Sequence, residues 1–176
     1  EDRSGFDTNT VGVYRTAATV KGGRRFSFSA MVVCGDRQGS VGLGYGKANQ
    51  VPNAIEKAQK KAKREMREFP LTGTTIPHEV TGRFGACSVR LVPASPGTGV
   101  IAGADVRAVL DLLGVQDCLS KAYGSTNNKN LTKAVIDGLR QLRSRETVER
   151  LRKVTIDKTH TETSHEKTPV AVDVSR

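Results

Sequence analysis

The sequence has no tryptophan, and its three tyrosines and five phenylalanines bring aromatic residues to 5% of 176 positions. Hydrophobic residues reach only 36%, so large ring-filled cores are excluded, and small cores supported by something outside the chain fit better. Cysteine is nearly absent. Cys34, Cys87 and Cys118 are odd in number, far apart and form no C-x-x-C pair, which matches neither a disulfide framework nor a zinc site and points to a reducing compartment. No apolar run approaches the roughly 18 residues that span a bilayer, and no signal-type apolar segment follows Glu1, so no membrane partner is expected. Acidic residues are outnumbered by basic ones, 18 against 28, which leaves a net charge of +10 and a pI near 9.9.

Catalytic constellations are missing as well. Gly46-Lys47 resembles the end of a phosphate-binding P-loop, but Val41 stands where the motif needs glycine and Ala48 where it needs a hydroxyl for Mg²⁺. Gly97-x-Gly99-x-x-x-Gly103 is one residue too long for a dinucleotide fingerprint, and Asp105 puts a negative group at the helix start that would hold pyrophosphate. His78 stands alone between strands, while His160 and His165 are five apart and share no helical face. No enzyme, cofactor or metal site is expected.

The positive charge lies in the body of the chain. Residues 1–70 hold 13 basic and 7 acidic groups, residues 71–154 hold 12 and 7, and residues 155–176 hold 3 and 4. That distribution favours a shaped surface for an anionic polymer over adhesion by a charged tail. Within it, Lys21, Arg24 and Arg25 surround Gly22 and Gly23, and the stretch runs into an alternating segment in which Phe26 and Phe28 oppose Ser27 and Ser29. This reads as a cationic loop hinged on glycine and anchored at its C-terminal side by burial of the Phe26 and Phe28 rings.

Strands are predicted over 11–20, 26–34 and 40–47, the third with Val41, Leu43 and Tyr45 on one face and only Gly42, Gly44 and Gly46 on the other. A face without side chains lets something pack very close. Pro52 suits a helix start, and the helix is predicted to run to 69, with Ile55, Ala58, Ala62, Met66 and Phe69 within an arc of about 80°. Opposite lie Lys57, Lys60, Lys61, Lys63, Arg64 and Arg67, interrupted by Glu56 and Glu68. Residues 70–77, rich in Thr, Gly and Pro, read as a boundary. Strands at 76–82, 87–92 and 115–123 and helices at 104–113, 130–142 and 148–154 follow, and the tail from 155 is polar. The loops at 95–103, with Thr98, and at 124–127, with Ser125, Thr126 and Asn127, read equally as phosphate contacts or as turns that serve only the fold.

Several of these segments, in this order, resemble one family. Val20-Lys-Gly-Gly-Arg-Arg-Phe-Ser-Phe28, Val41-Gly-Leu-Gly-Tyr-Gly-Lys47, Val51-Pro52, Pro93-Ala-Ser-Pro-Gly-Thr-Gly-Val-Ile-Ala-Gly103, Val106-Arg-Ala-Val-Leu110 and Lys121-Ala-Tyr-Gly-Ser-Thr-Asn127 are similar to the small-subunit ribosomal protein S5 family of bacterial or organellar type. The resemblance covers about residues 11–142. It implies an α+β fold: a double-stranded-RNA-binding-like domain at 11–70, a three-stranded antiparallel sheet plus helix, then an α/β domain at 71–154 with a left-handed βαβ crossover. An extension at 1–10 and a tail at 155–176 would flank them.

The resemblance also implies a structural constituent of the small ribosomal subunit. Such a protein would bind ribosomal RNA near the decoding region beside the spectinomycin site, border the path by which messenger RNA enters, touch neighbouring ribosomal proteins, and contribute to accuracy and assembly. It would act in a cytoplasmic, mitochondrial or plastid ribosome and not as a homo-oligomer. The RNA-binding role falls on Lys21, Gly22, Gly23, Arg24, Arg25 and Phe26, then on Lys47, Lys57, Lys60, Lys61, Arg64 and Arg67, and in the second domain on Thr98, Lys121, Ser125, Thr126 and Asn127. The alternative is a free regulator that binds structured RNA. Two departures stand out: Tyr14-Arg15-Thr16 with Ala18 replaces the family's Asn-Arg-Val with a following lysine, so one cation is missing, and Asp105 replaces an uncharged residue. Deleting residues 156–176 is expected to leave incorporation into ribosomal particles intact, as read by sucrose-gradient sedimentation.

Overall fold

The computed structural model describes residues 5–154. A first unit, running to Ser144, carries two four-stranded sheets and three helices, and a second carries one short helix. The class is α+β.

The first sheet has the order β1 (Asp7–Val20), β2 (Gly23–Gly35), β3 (Ser40–Ala48), β4 (Arg67–Glu68), every neighbour antiparallel, with α1 (Val51–Arg64) between β3 and β4. β1 starts before the predicted 11, because Asp7 to Thr10 pair with Gly35 to Val32 through backbone bonds that need no apolar alternation. A register shift between Thr10 and Gly12 makes room for Val11. β2 is buried on both faces from Ala30 to Cys34. Ala30 and Val32 pack with Ala54 and Ala58 of α1, while Val33 joins the larger cluster formed with the second sheet.

The glycine face of β3 is where α1 lies. A Cβ at Gly42, Gly44 or Gly46 would overlap the carbonyl oxygens of Ala62, Ala58 and Ala54 respectively. Four helical residues rise about 6 Å and two strand residues advance about 6.8 Å, so alanines every fourth position stay in step with glycines every second. The helix stops at Arg64, five residues before the predicted 69. Pro70 disfavours a helical Phe69, and Phe69 instead turns into the core, its N–H donating to the Gly39 carbonyl at 2.8 Å. Met66 and Phe69 therefore leave the predicted helical stripe, and Arg67 and Glu68 pair with Val41 and Ser40 as a fourth strand.

The second sheet has the order β5 (Val80–Phe84), β6 (Cys87–Pro93), β8 (Cys118–Gly124), β7 (Val100–Ile101). Its pairs are antiparallel except β7 with β8, so β7, α2 (Ala104–Leu113) and β8 make a βαβ unit. Two predicted strands begin late. Ile76 and Val115 are buried, but the amides of Gln116 and Asp117 both donate to the Thr74 carbonyl, a turn instead of a strand partner. α3 (Asn128–Arg140) starts earlier than predicted because the Asn127 side chain accepts from the Lys129 amide at 3.1 Å and caps it.

The halves are joined, among other contacts, through β2 and the turn that follows it. The amides of Arg37 and Gly39, in the turn between β2 and β3, donate to the carbonyls of Leu112 and Leu113 at 3.0 and 2.9 Å and close the end of α2. Gly114 caps that helix at φ 95°, one residue past its predicted end at 113. On the opposite face of β2, Met31 meets the buried Thr132 of α3 at 3.1 Å. Burial pushes the Cys118 thiol up to about 11 and raises that of Cys34; with Cys87 they are buried and unpaired.

Between β6 and β7 the chain folds around a carboxylate. Asp117, 4% exposed, accepts from the Gly99 amide at 2.9 Å. That bond, then the Thr74 hydroxyl and the amides of Gly97 and Thr98, hold its carboxyl below the ordinary value. In the second unit, α4 (Arg145–Arg152) starts three residues before the predicted 148 and has an Arg145–Glu149 ion pair at 2.8 Å. The predicted tail, with His160 and His165, lies outside the described residues. Among the described residues no helix is long and apolar enough to cross a membrane.

Gly44→Ala is expected to cost on the order of 3 kcal/mol or more, since backbone must yield, and Gly22→Ala less than about 0.5 kcal/mol, since nothing lies within 4 Å of the added carbon; urea midpoints check both. Because the Asp117 carboxyl titrates below 3.8 when folded, its contribution is present above that pH and lost as pH falls through the folded value. Asp117→Asn should lower Tm at neutral pH, and the gap to the parent should narrow below about pH 4.

Candidate nucleic-acid interface

β2 and β3 first pair at Phe28 and Ala48, whereas β1 and β2 stay paired out to Val20 and Gly23. A two-stranded ribbon therefore projects roughly 17 Å past the third strand, at about 3.4 Å per residue. Its turn is only Lys21-Gly22; Arg24 and Arg25, predicted in a loop, lie on β2 opposite Thr19 and Ala18. Strand alternation sends successive side chains to opposite faces, so the ribbon carries a cation on each face and a third at its tip. Gly23 takes φ 143°, a value that suits glycine. Of the two predicted ring anchors, Phe28 is half-buried against the Ala30, Val32, Ala54 and Ala58 cluster, whereas Phe26 is 47% exposed, with the Arg15 guanidinium 4.9 Å from its ring centre. Past the third strand there is no helix for Phe26 to enter. Val20, 49% exposed, adds a second apolar contact at the tip.

Lys47 ends the side-chain-bearing face of β3, beside the start of α1. It lines a cleft of about 580 Å³ with Ser27, Asn53, Lys57, Lys60 and one carboxylate, Glu56. The first turn of α1 holds no acidic residue, and the Gln50 side chain makes no capping bond, so the positive end of the helix is open toward this cleft. Further along, Lys60 pairs with Glu56 at 2.6 Å and Lys61 with Glu65 at 3.7 Å, both exposed and of small energetic weight. Lys57 and Arg64 are exposed and form no ion pair among the described residues. Arg67 is not on this helical face. It sits on β4 and lines a different groove.

The second-half candidates do not join this surface. The Thr98 hydroxyl and amide both donate to the Ser95 carbonyl, at 2.7 and 3.2 Å, and the Gly99 amide donates inward to Asp117 at 2.9 Å. Of the two readings of this loop, the Gly99–Asp117 bond supports a turn that serves the fold. In the loop at 124–127, Ser125 accepts from the Asn127 amide at 3.4 Å and Asn127 caps α3, so both serve the helix start; Thr126 is exposed. Lys121 is exposed on β8, opposite Arg90, on the sheet face away from buried Cys118.

Sequence reasoning missed a cluster on the free face of β3. Lys129 Nζ lies 4.8 Å from the Tyr14 ring centre and 4.7 Å from that of Tyr45, and Lys133 Nζ lies 4.7 Å from that of Phe84. The Ser29 hydroxyl first, with Lys129 and Lys47 adding to it, holds the Tyr45 phenol below its ordinary value. One signal was available: Lys129, Lys133 and Arg140 recur at helical spacing on one side of α3.

Comparison with known proteins supplies the family. A profile described as "Ribosomal protein S5, N-terminal domain" matches residues 6–70, and one described as "Ribosomal protein S5, C-terminal domain" matches residues 82–152. The chain is 58% identical over 142 residues to small ribosomal subunit protein uS5 of Syntrophobacter fumaroxidans, covering 81% of this chain and 86% of that protein. It is 55% identical over 148 residues to that of Thermus thermophilus, covering 84% and 91%. With that of Rhodopirellula baltica it shares 52% over 149 residues, covering 85% and 84%. Matches over both halves and relatives above 50% identity lead to one conclusion: the chain belongs to the ribosomal protein S5 family, whose members are structural components of the ribosome and not enzymes.

Proposed function

We propose that this protein is a structural constituent of the small ribosomal subunit and binds its ribosomal RNA through the β1–β2 ribbon and the open side of α1. The observation that carries the reading is the ribbon itself. Lys21, Arg24 and Arg25 project beyond the sheet on both of its faces, with Val20 and Phe26 exposed among them. A projection of this shape fits a groove or crevice of folded RNA, where phosphates line both sides. The cleft at the helix start, where Lys47 and Lys57 stand beside the Lys60–Glu56 pair, offers a second phosphate contact on the same module, residues 11–70.

In this reading residues 71–154 act chiefly as a platform. The outer face of the second sheet, with Lys121, Arg90 and the half-exposed Tyr123 and Ile101, suits neighbouring ribosomal proteins or RNA. A position near the decoding region and the incoming messenger, and a contribution to accuracy and assembly, follow from the family and belong to the same proposal.

Replacing Lys21, Arg24 and Arg25 by Glu is expected to weaken binding to a ribosomal RNA fragment and to flatten the slope of log K against log salt by up to about 2.7, at about 0.9 per lost phosphate contact. An unchanged slope rejects a phosphate role for the ribbon. In a lysate gradient the protein should sediment with small-subunit particles; recovery only at the top of the gradient would favour a free RNA-binding regulator.

A further inference from the structure

A groove of about 500 Å³ lies between β3 and α3. Leu43 and Ile136 give it apolar lining, and two part-exposed rings, Tyr45 and Phe84, stand in its walls. Each ring is covered by an ammonium group, Lys129 over Tyr45 and Lys133 over Phe84, both 4.7 Å from the ring centre. The lining holds five cations, Lys61, Arg67, Lys129, Lys133 and Arg140, against two carboxylates, Glu65 and Asp137. Both acids are engaged. Glu65 pairs with Lys61 at 3.7 Å, and Asp137 accepts from the Arg83 amide at 3.1 Å and the Gln141 side chain at 3.2 Å. Lys129, Lys133 and Arg140 form no ion pair among the described residues.

An ammonium over a ring, with no carboxylate to hold it, is a contact that a nucleotide can divide: the ring takes the base and the ammonium takes the phosphate. A glutamate-rich segment would satisfy the cations but leave the ring faces unused. The groove also continues the surface assigned to RNA, because Lys47 lies two residues from Tyr45 on the same face of β3 and lines the cleft near the ribbon's base. Its volume falls in the range of pockets that enclose a small organic group.

We propose that this groove takes an unpaired RNA nucleotide next to the duplex held by the ribbon, its base on Phe84 and its phosphate on Lys133. The inference rests on the RNA-binding reading above and specifies where single-stranded RNA enters it.

The test uses the full chain, fluorescence anisotropy and two labelled hairpin RNAs, one blunt and one with a short unpaired adenosine tail. The tail should raise affinity about tenfold, the effect of one stacked base. Lys133→Glu and Phe84→Ala should each remove that gain and leave blunt-hairpin affinity within about twofold. Both positions are exposed, and far-UV circular dichroism checks the fold. Equal affinity for the two RNAs, or a gain that survives both substitutions, overturns the proposal. So does a glutamate-rich peptide that cancels the gain while blunt-hairpin binding persists, since a protein segment would then be the occupant. The ribbon variant, with Lys21, Arg24 and Arg25 changed to Glu, should weaken both RNAs alike and keep the ratio between them. Undiminished blunt-hairpin binding in that variant counts against the ribbon, while the ratio alone judges the groove.

Discussion

Three glycines packed under three alanine carbonyls set the plan of the first half of this protein. Because Gly42, Gly44 and Gly46 carry no side chains, α1 lies directly on the backbone of β3, closer than any Cβ would permit. Two consequences follow from that one approach. The alanine stripe is spent against the sheet, so the lysines of α1 are turned outward. Every side chain of the middle of β3 is also sent to the opposite face, where Val41 enters the core and Leu43 and Tyr45 line the groove against α3. The cation-bearing helix and the ring-lined groove are two sides of a single strand.

A similar economy joins the halves. β2 is buried on both faces, with α1 on one and the second half of the chain on the other. The turn after it donates two amides to the end of α2. A chain poor in aromatic residues thus builds two core clusters, one on each face of β2, from small side chains and close backbone contacts, with Gly82 of β5 fitting against Ala134 and Gly138 of α3 in the same manner. The ribbon is the part left out of this scheme. It keeps strand pairing but has no layer to pack on, so Val20 and Phe26 stay exposed and its cations point away on both faces. Burial is withheld where a partner is expected to supply it.

Much of this is legible in the residues. Alternation marks β2 and β3, Pro52 marks the start of α1, Gly114 marks the end of α2, and the glycine face of β3 announces a close neighbour. What failed, failed for tertiary reasons. The wheel that placed Met66 and Phe69 on α1 has correct periodicity, but Pro70 and the core position of Phe69 end the helix sooner. Phe26 alternates like a buried residue and yet lies beyond the reach of the helix that would cover it. The glycine-rich loop at 97–99 reads two ways, and only the fold, by bringing Asp117 from eighteen residues away, supports the turn.

The sequence by itself determined the local order of strands and helices, the basic character of the surface and the absence of a familiar catalytic motif, because these depend on spacing and composition within a few residues of one another. The tertiary structure alone decided which cations stand together. Lys129 meets Tyr14 and Tyr45, and Lys133 meets Phe84, across separations in the chain that no periodicity encodes. Charge can be read along a chain, but a binding surface exists only where packing brings distant side chains to one face.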